Sequence, residues 1–292
     1  MGFLESTPRL SLDALQTFGY VDHAEGICMA PDGTLYVSGE AGQIYRIGAD
    51  DTTTQVATTG GWTLGLAADA DGRIYACDSV NHAVMRWSGG DAPPEVWSSG
   101  PDRAPFATPN WGAFGPDGSY YVSDSGGWKA REGRIAVVRR GVTTVWSEES
   151  RDFPNGLALS PDGRELWVLE STPGMLVAYA IAADGSAGPR RVVTSLEGTV
   201  PDGIAFATDG SAIIACYRPD VVLRWSAAGG VEVVAIDPEG VALAAPTNCV
   251  FAGPDRSTVL VPNIGRWHVT RFSVPGLVGV PLHYPTREQL GG

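Results

Sequence analysis

The chain is poor in lysine and its charge is strongly one-sided. Lys129 is the only lysine, and 20 basic residues face 33 acidic ones, which gives a formal net charge of −13. The arginine pairs Arg139-Arg140 and Arg190-Arg191 are isolated, whereas a nucleic-acid-binding protein needs a clustered basic face. We therefore expect no nucleic-acid partner.

Several other features are missing. No apolar run reaches the roughly 18 residues of a membrane-spanning helix, and the N-terminal stretch MGFLESTPRLSLDAL lacks the basic and apolar regions of a signal peptide. We expect no membrane association and a cytoplasmic location. No GxSxG or HExxH motif occurs, which argues against serine-hydrolase and zinc-peptidase chemistry. The cysteines lack CxxC spacing and lie in apolar runs, so we interpret them as buried small hydrophobic residues: Cys28, Cys77, Cys216 and Cys249.

What the chain does contain is glycine, proline and a repeated phrase. It has 38 glycines and 21 prolines, and 43% of its residues are hydrophobic, which suits a large core built from short strands and turns. Each copy of the phrase is an apolar strand, a turn that usually contains Asp-Gly, and a second strand. The copies are AEGICMAPDGTLYVSG, TLGLAADADGRIYACD, TPNWGAFGPDGSYYVSD, FPNGLALSPDGRELWVLE, VPDGIAFATDGSAIIAC and PTNCVFAGPDRSTVLVPN.

Further strands follow most copies, such as QIYRI and then TTQVAT after the first. Six units of four strands predict an all-β, six-bladed β-propeller of four-stranded blades, formed as a single domain over residues 1–292. The blades are expected to start near residues 24, 63, 109, 154, 201 and 247. The segment RLSLDALQTF is expected to supply the outer strand that closes the last blade and removes the open edges.

One position in each repeat deserves a functional interpretation. The residues before or near the strand-opening glycine are Glu25, Leu64, Asn110, Asn155, Asp202 and Asn248, separated by 39, 46, 45, 47 and 46 residues. The innermost strands of a propeller surround one axis, so these side chains should converge. Carboxylate and carboxamide oxygens are the ligands that Ca²⁺ prefers. We predict a central metal-binding channel, with Leu64 giving the ring one apolar side.

The phrases at Glu25, Asn155 and Asp202 resemble the senescence-marker-protein (regucalcin)/gluconolactonase/luciferin-regenerating-enzyme family, over roughly residues 15 to 275. The resemblance implies one bound divalent cation, Ca²⁺ in the first place, with Zn²⁺, Mn²⁺ or Mg²⁺ as alternatives. It implies Glu25, Asn110, Asn155 and Asp202 as the metal ligands. The same four residues are similar to the calcium site of the related diisopropyl fluorophosphatase.

The sequence departs from this family at Asn110. Family lactonases often carry R-x-N-D there, with the arginine holding a sugar acid, whereas this chain has Thr108-Pro109-Asn110-Trp111. We therefore expect a small-molecule substrate that is less polar than a sugar lactone. The residues expected to contact it are Asn110, Trp111, Leu64, Trp128 and Asn248, and the tryptophans Trp62 and Trp267 are further candidates for an aromatic mouth.

The resemblance implies hydrolysis of a lactone or related ester, with the metal as Lewis acid. Asp202 is our candidate for both metal ligand and general base, and His268 is the alternative base. His23, two residues before Glu25, is a further candidate, and Lys129 is expected to be a solvated loop residue. Two other classes of function stay open: another reaction at the same metal (phosphotriester hydrolysis, a lyase step, an isomerisation or a cyclisation), and a binding propeller without catalysis. The sequence does not indicate the oligomeric state.

Overall fold

The computed structural model of the chain describes residues 2–291. Within this range the chain is almost entirely β-structure, with two short 3₁₀ turns (Phe3–Glu5 and Leu12–Ala14) near its start and one short helix, α1 (Arg287–Leu290), near its end. The strands in chain order are β1 (Gln16–Phe18), β2 (Ile27–Met29), β3 (Leu35–Ser38), β4 (Gln43–Ile47), β5 (Thr53–Thr58), β6 (Thr63–Ala68), β7 (Ile74–Asp78), β8 (Ala83–Trp87), β9 (Glu95–Ser98), β10 (Pro109–Phe114), β11 (Tyr120–Asp124), β12 (Arg134–Arg139), β13 (Val142–Ser147), β14 (Pro154–Leu159), β15 (Glu165–Glu170), β16 (Met175–Ala180), β17 (Arg191–Ser195), β18 (Val200–Phe206), β19 (Ala212–Arg218), β20 (Val221–Ser226), β21 (Gly230–Ile236), β22 (Val250–Ala252), β23 (Thr258–Asn263) and β24 (His268–Ser273).

These strands form six antiparallel sheets of four strands each, which confirms the predicted six-bladed β-propeller. Blades 1 to 5 each use four consecutive strands: β2–β5, β6–β9, β10–β13, β14–β17 and β18–β21. Blade 6 consists of β22, β23 and β24, and its outer strand is β1 from the beginning of the chain. The ring is thus closed by a pairing between β1 and β24, in which Thr17 lies opposite Thr270.

The hydrophobic core is divided among the contacts between neighbouring blades. Alternate residues of a strand point to opposite faces of its sheet, so each blade packs on the blade before it and on the blade after it. The cluster around Trp167 and Phe206, for example, joins blades 4 and 5. The cluster around Val37 and Leu260 joins blades 6 and 1 and completes the ring. The four cysteines are buried and free of disulfides.

Glycine lets the innermost strands approach one another closely. A Cβ on Gly156 would collide with the carbonyl oxygen of Asp202 in the next blade, and a Cβ on Gly26 would collide with that of Leu64. Neither glycine has a positive φ, so the Asn-Gly and Glu-Gly pairs are not turns here. Glycine at these positions marks a close backbone approach around the axis.

The chain after blade 6 crosses one end of the propeller, an arrangement that the repeat analysis did not predict. The Val280 N–H donates to the Phe206 carbonyl in blade 5 at 3.1 Å, and the Tyr284 hydroxyl donates to the Met29 carbonyl in blade 1 at 2.8 Å. Helix α1 then begins at a capping box formed by Thr286 and Gln289. We call residues 274–291 the C-terminal segment. Among residues 2–291, no helix has the length and apolar character to cross a membrane.

Candidate functional site

A cavity of about 410 Å³ opens where the innermost strands begin. The first residues of β6, β10, β14 and β18 reach it, together with the loops that precede these strands. Its wall includes Glu25, Leu64, Asn110, Asn155 and Asp202. We call it the carboxylate cavity. Residues from five different blades therefore meet here although they are separated by up to 177 positions in the chain.

Burial, followed by the charge of a neighbouring carboxylate, raises the pKa of both carboxyl groups in this cavity. Burial, and then the nearby Glu40 carboxylate, raise the pKa of Glu25 to about 8. Burial, and then the charge of Glu25, raise the pKa of Asp202 well above its ordinary value. Like charges held close together in a poorly solvated place disfavour ionisation. Ionisation of these two acidic groups is therefore energetically costly, and a bound cation would offset that cost.

One amide of this cavity, that of Asn155, has an oxygen atom without a partner among the described residues. Asn155 Nδ2 donates to the Ser171 hydroxyl at 3.3 Å, and that hydroxyl donates to the Pro201 carbonyl of the next blade at 2.7 Å. This contact orients the amide so that Asn155 Oδ1 is free; it is buried and has no hydrogen-bond partner within residues 2–291. Asn110 is also almost fully buried in the cavity wall.

Glu25 Oε2 is a second buried oxygen without a partner in the described chain. Two carboxyl groups and two amides, with one carboxylate oxygen and one amide oxygen left without partners in this part of the chain, have the chemistry of a site for a hard divalent cation, which takes oxygen ligands and completes its shell with water. No group of three or more His, Cys, Asp and Glu residues converges as a metal site in residues 2–291. The donor set discussed here contains only two acidic residues and relies on amides for the rest.

Aromatic and aliphatic side chains form most of the remaining wall. Trp128 contacts Phe153 edge to face, with ring centroids 4.9 Å apart. Trp62 also lines the cavity, and its Nε1 is buried without an acceptor among residues 2–291. The other apolar wall residues are Leu64, Val200, Tyr217 and Ile264. The cavity thus combines a polar floor with a largely apolar wall.

Two residues expected to contact substrate lie elsewhere. Trp111 follows Asn110 directly in β10, so its side chain points to the other face; it packs between blades with Tyr121 and Leu157. Asn248 is fully buried, lines a different cavity, and its Oδ1 accepts the Cys249 N–H at 2.6 Å. The regular strand of blade 6 begins only at Val250, and it is Thr247 that reaches the carboxylate cavity.

The alternative base, His268, also lies outside this cavity. It begins β24, the third strand of blade 6, whereas only first strands surround the axis. Its Nε2 lies 3.2 Å from the Ala242 carbonyl oxygen, and burial lowers the pKa of its imidazole. The structure therefore gives no support to His268 as the base at this site.

Three further candidates, His23, Trp267 and Lys129, lie outside the cavity as well. His23 accepts a hydrogen bond from Trp267 Nε1 at 3.2 Å, so both rings belong to a separate aromatic cluster with Tyr20. Lys129 is exposed in its loop. None of these side chains contributes to the wall described above.

Some wall residues escaped the sequence analysis. Phe153 immediately precedes the first strand of blade 4 and has a positive φ of 58°, and Tyr217 and Arg218 end the second strand of blade 5. They lie in loops and strand ends, where the repeat carries no regular pattern. Phe153 lies two residues before Asn155 in the repeated phrase FPNGL, and this short distance in sequence is the signal that could have placed it in the wall.

Known proteins share this architecture. Residues 23–264 match the SMP-30/Gluconolactonase/LRE-like region. Regucalcin from Gallus gallus is 27% identical over 165 residues, which are 52% of this chain and 53% of that protein, so the match spans about half of the curated relative.

Two solved structures are similar in fold. A gluconolactonase from Xanthomonas campestris has a TM-score of 0.76 and 20% identity, over 93% of this chain and 96% of that one. The calcium-binding protein regucalcin from Agrobacterium tumefaciens has a TM-score of 0.69 and 18% identity, over 92% and 99% of the two chains. With the family match over residues 23–264 and the six-bladed propeller, these findings agree: the chain belongs to the SMP-30/gluconolactonase/LRE-like family.

Proposed function

We propose that the protein is a divalent-metal-dependent hydrolase that opens a lactone or related ester, with Ca²⁺ as the first candidate ion. The observation that carries the proposal is the pair of buried, unpartnered oxygens, Glu25 Oε2 and Asn155 Oδ1, beside the Asp202 carboxyl group. Family membership supports the same reaction class. Glu25, Asn110, Asn155 and Asp202 would hold the ion, which supplies Lewis-acid polarisation of the ester carbonyl when it is bound.

Asp202 is the proposed general base. Its carboxylate takes a proton from a water molecule, whose oxygen attacks the ester carbonyl carbon. The ring C–O bond then breaks, and the leaving alkoxide receives the proton from Asp202, which leaves a hydroxy acid. Burial and Glu25 raise the pKa of Asp202, and this opposes the acidifying effect of a bound cation. Because these two effects on the pKa of Asp202 oppose each other, its carboxylate remains basic enough for proton transfer.

The apolar wall supports a substrate that is less polar than a sugar lactone. Trp62, Trp128 and Phe153 offer ring faces and edges for an aromatic or alkyl substituent. The cationic side chain in the wall, Arg218, is already paired with Asp220 at 2.8 Å. Trp62 Nε1 has no acceptor in the described part of the chain and suits one substrate oxygen. We propose an aryl- or alkyl-substituted lactone.

The test is turnover of a lactone panel by the full chain, with calcium and with excess chelator. We expect hydrolysis with calcium, seen by mass spectrometry as the gain of one water, and loss of turnover with chelator. A product of unchanged mass would instead identify an isomerase. Turnover of phosphotriesters, without turnover of any lactone, would identify a phosphotriesterase. If calorimetry and elemental analysis detect no bound divalent ion, every hypothesis of a metal-dependent enzyme is contradicted.

Replacing Trp128 with alanine tests the substrate class. We expect kcat/KM for the aromatic lactone dihydrocoumarin to fall about tenfold, because an aromatic contact contributes about 1 kcal/mol beyond its buried area. Trp128 is 51% exposed, so the fold should tolerate the change. For δ-valerolactone we expect less than about a twofold change, and Trp128→Phe should retain most activity on both substrates. An equal loss on both lactones would contradict a role in substrate selection.

A further inference from the structure

A second cavity, of about 280 Å³, lies where the innermost strands end, opposite the carboxylate cavity. We call it the apolar cavity. There is room for this cavity because one equivalent position in the first strand of each blade carries a small residue in five of the six blades. The residues at this position, each four residues before the aspartate of the following turn, are Cys28, Ala67, Ala113, Ala158, Ala205 and, as the bulky exception, Phe251.

The C-terminal segment forms the outer wall of this cavity. Residues 280–284 lie across the strand ends and are held by hydrogen bonds to Phe206 in blade 5 and Met29 in blade 1. On the far side of the segment, Gln289 Nε2 donates to the Pro116 carbonyl of blade 3 at 3.1 Å. The cavity is therefore bounded by all six blades and by a tethered segment of the same chain.

One fully buried side-chain polar atom in the wall has no partner within residues 2–291. Asn248 is fully buried, and its Oδ1 is committed to the Cys249 N–H, which fixes the orientation of the amide. Asn248 Nδ2 consequently has no acceptor within residues 2–291. The wall hydroxyl of Ser160 is already used: it donates to Asp162 at 2.7 Å and accepts the Glu165 N–H. The other titratable side chains in the wall are His283, half-buried on the C-terminal segment, and the Cys28 and Cys249 thiols and Tyr284 hydroxyl.

We propose that the apolar cavity binds a small, neutral, largely apolar molecule that carries one hydrogen-bond acceptor, such as an aryl ketone or ester. An apolar cavity of about 150 Å³ takes one benzene, so this cavity has room for about twice that volume. Buried water typically makes about three hydrogen bonds, whereas Asn248 Nδ2 is the one fully buried side-chain donor of this wall that lacks a partner among residues 2–291. The acceptor of the ligand meets Asn248 Nδ2, and its apolar body contacts the small residues of the ring.

The experiment uses the full chain with calcium and two fluorinated probes observed by ¹⁹F NMR. The first is 4-fluoroacetophenone, and the second is 4-fluoro-α-methylstyrene, in which a CH₂ group replaces the carbonyl oxygen. We expect the ketone to bind about tenfold more tightly than the hydrocarbon, in line with one buried hydrogen bond. In Asn248→Ala this preference should fall to about twofold or less. Equal binding of both probes to the wild type would overturn the role of Asn248.

Two further variants locate the probes. Ala158→Leu and Ala205→Leu each fill the cavity from a different blade, so we expect both probes to bind at least about tenfold more weakly, while thermal unfolding verifies the fold. Trp128→Ala alters only the carboxylate cavity and should leave both affinities unchanged. Probe binding that survives both leucine variants, or that is lost in Trp128→Ala, would overturn the proposal, as would absence of binding to the wild type. None of these results depends on catalytic turnover, so the proposed function is tested separately.

Discussion

Replacing Asp202 with alanine is expected to abolish divalent-ion binding and to lower lactone turnover by at least about 1000-fold. The carboxyl group is 7% exposed and lies with Glu25 in the same cavity, so no surface carboxylate can replace it. Lewis-acid catalysis contributes several kcal/mol to such reactions, and each 1.36 kcal/mol is a factor of ten in rate. Calcium titration by calorimetry, elemental analysis and kcat/KM measure the two losses.

Two matched variants separate this effect from a change in net charge. Asp202→Asn keeps the shape and one oxygen but removes the charge and the base, and should lose turnover nearly as fully as alanine. Without metal it should unfold at a higher temperature than the metal-free wild type, because the repulsion between Asp202 and Glu25 disappears. Asp184→Asn, on an exposed loop, removes the same charge and should behave as wild type. Full turnover in Asp202→Ala would contradict the proposed site.

Removing the divalent ion is expected to make stability fall as the pH rises from about 4.5 to about 8. The pKa of Glu25 is 4.5 in its ordinary state and about 8 in the folded chain, where burial and Glu40 disfavour its charge. Within this window the folded protein keeps a proton that the unfolded chain has released. The contribution of Glu25 to the free energy of unfolding is therefore greatest below pH 4.5. Above that pH it declines by up to about 1.4 kcal/mol per pH unit. The raised pKa of Asp202 acts in the same direction.

Urea unfolding at pH 5, 6, 7 and 8, with chelator or with saturating calcium, measures this dependence. A bound cation holds both carboxylates in their charged form, so the stabilisation by calcium should increase as the pH rises. Glu25→Gln should flatten the curve of the chelated protein, and Asp184→Asn should leave it unchanged. A chelated wild type whose stability does not change between pH 5 and 8 would contradict the burial of these carboxyl groups beside other carboxylates.

The sequence predicted the fold well because the information for each blade is local. The two strands of each repeated phrase are joined by a short turn, as in FPNGLALSPDG, and six similar units have few ways to bury their apolar faces other than a ring. The same register brought Glu25, Asn155 and Asp202 to one position in their blades. Because the repeats are regular, a local sequence pattern predicted that these residues, far apart in the chain, lie close together in the fold.

The position of a residue in the repeat did not predict the site correctly where the backbone or the direction of a side chain departs from the repeat. Asn248 shares the register of Asp202, but blade 6 lacks a regular strand there and its amide turns to the opposite cavity. Trp111 lies next to Asn110 and, on a pleated strand, faces away from it. His268 lies on a third strand, away from the axis. None of these outcomes follows from spacing alone, because each depends on contacts with neighbouring blades.

The sequence by itself determined the number of blades, their four-stranded form and the family to which the chain belongs. Only the tertiary structure decided which side chains share a cavity, that Glu25 Oε2 and Asn155 Oδ1 have no partner within residues 2–291, and that the C-terminal segment covers the other end. The physical reason is the range of the interactions. Strand alternation and turns are set within about ten residues, whereas desolvation, charge repulsion and packing around the axis depend on residues from all six blades.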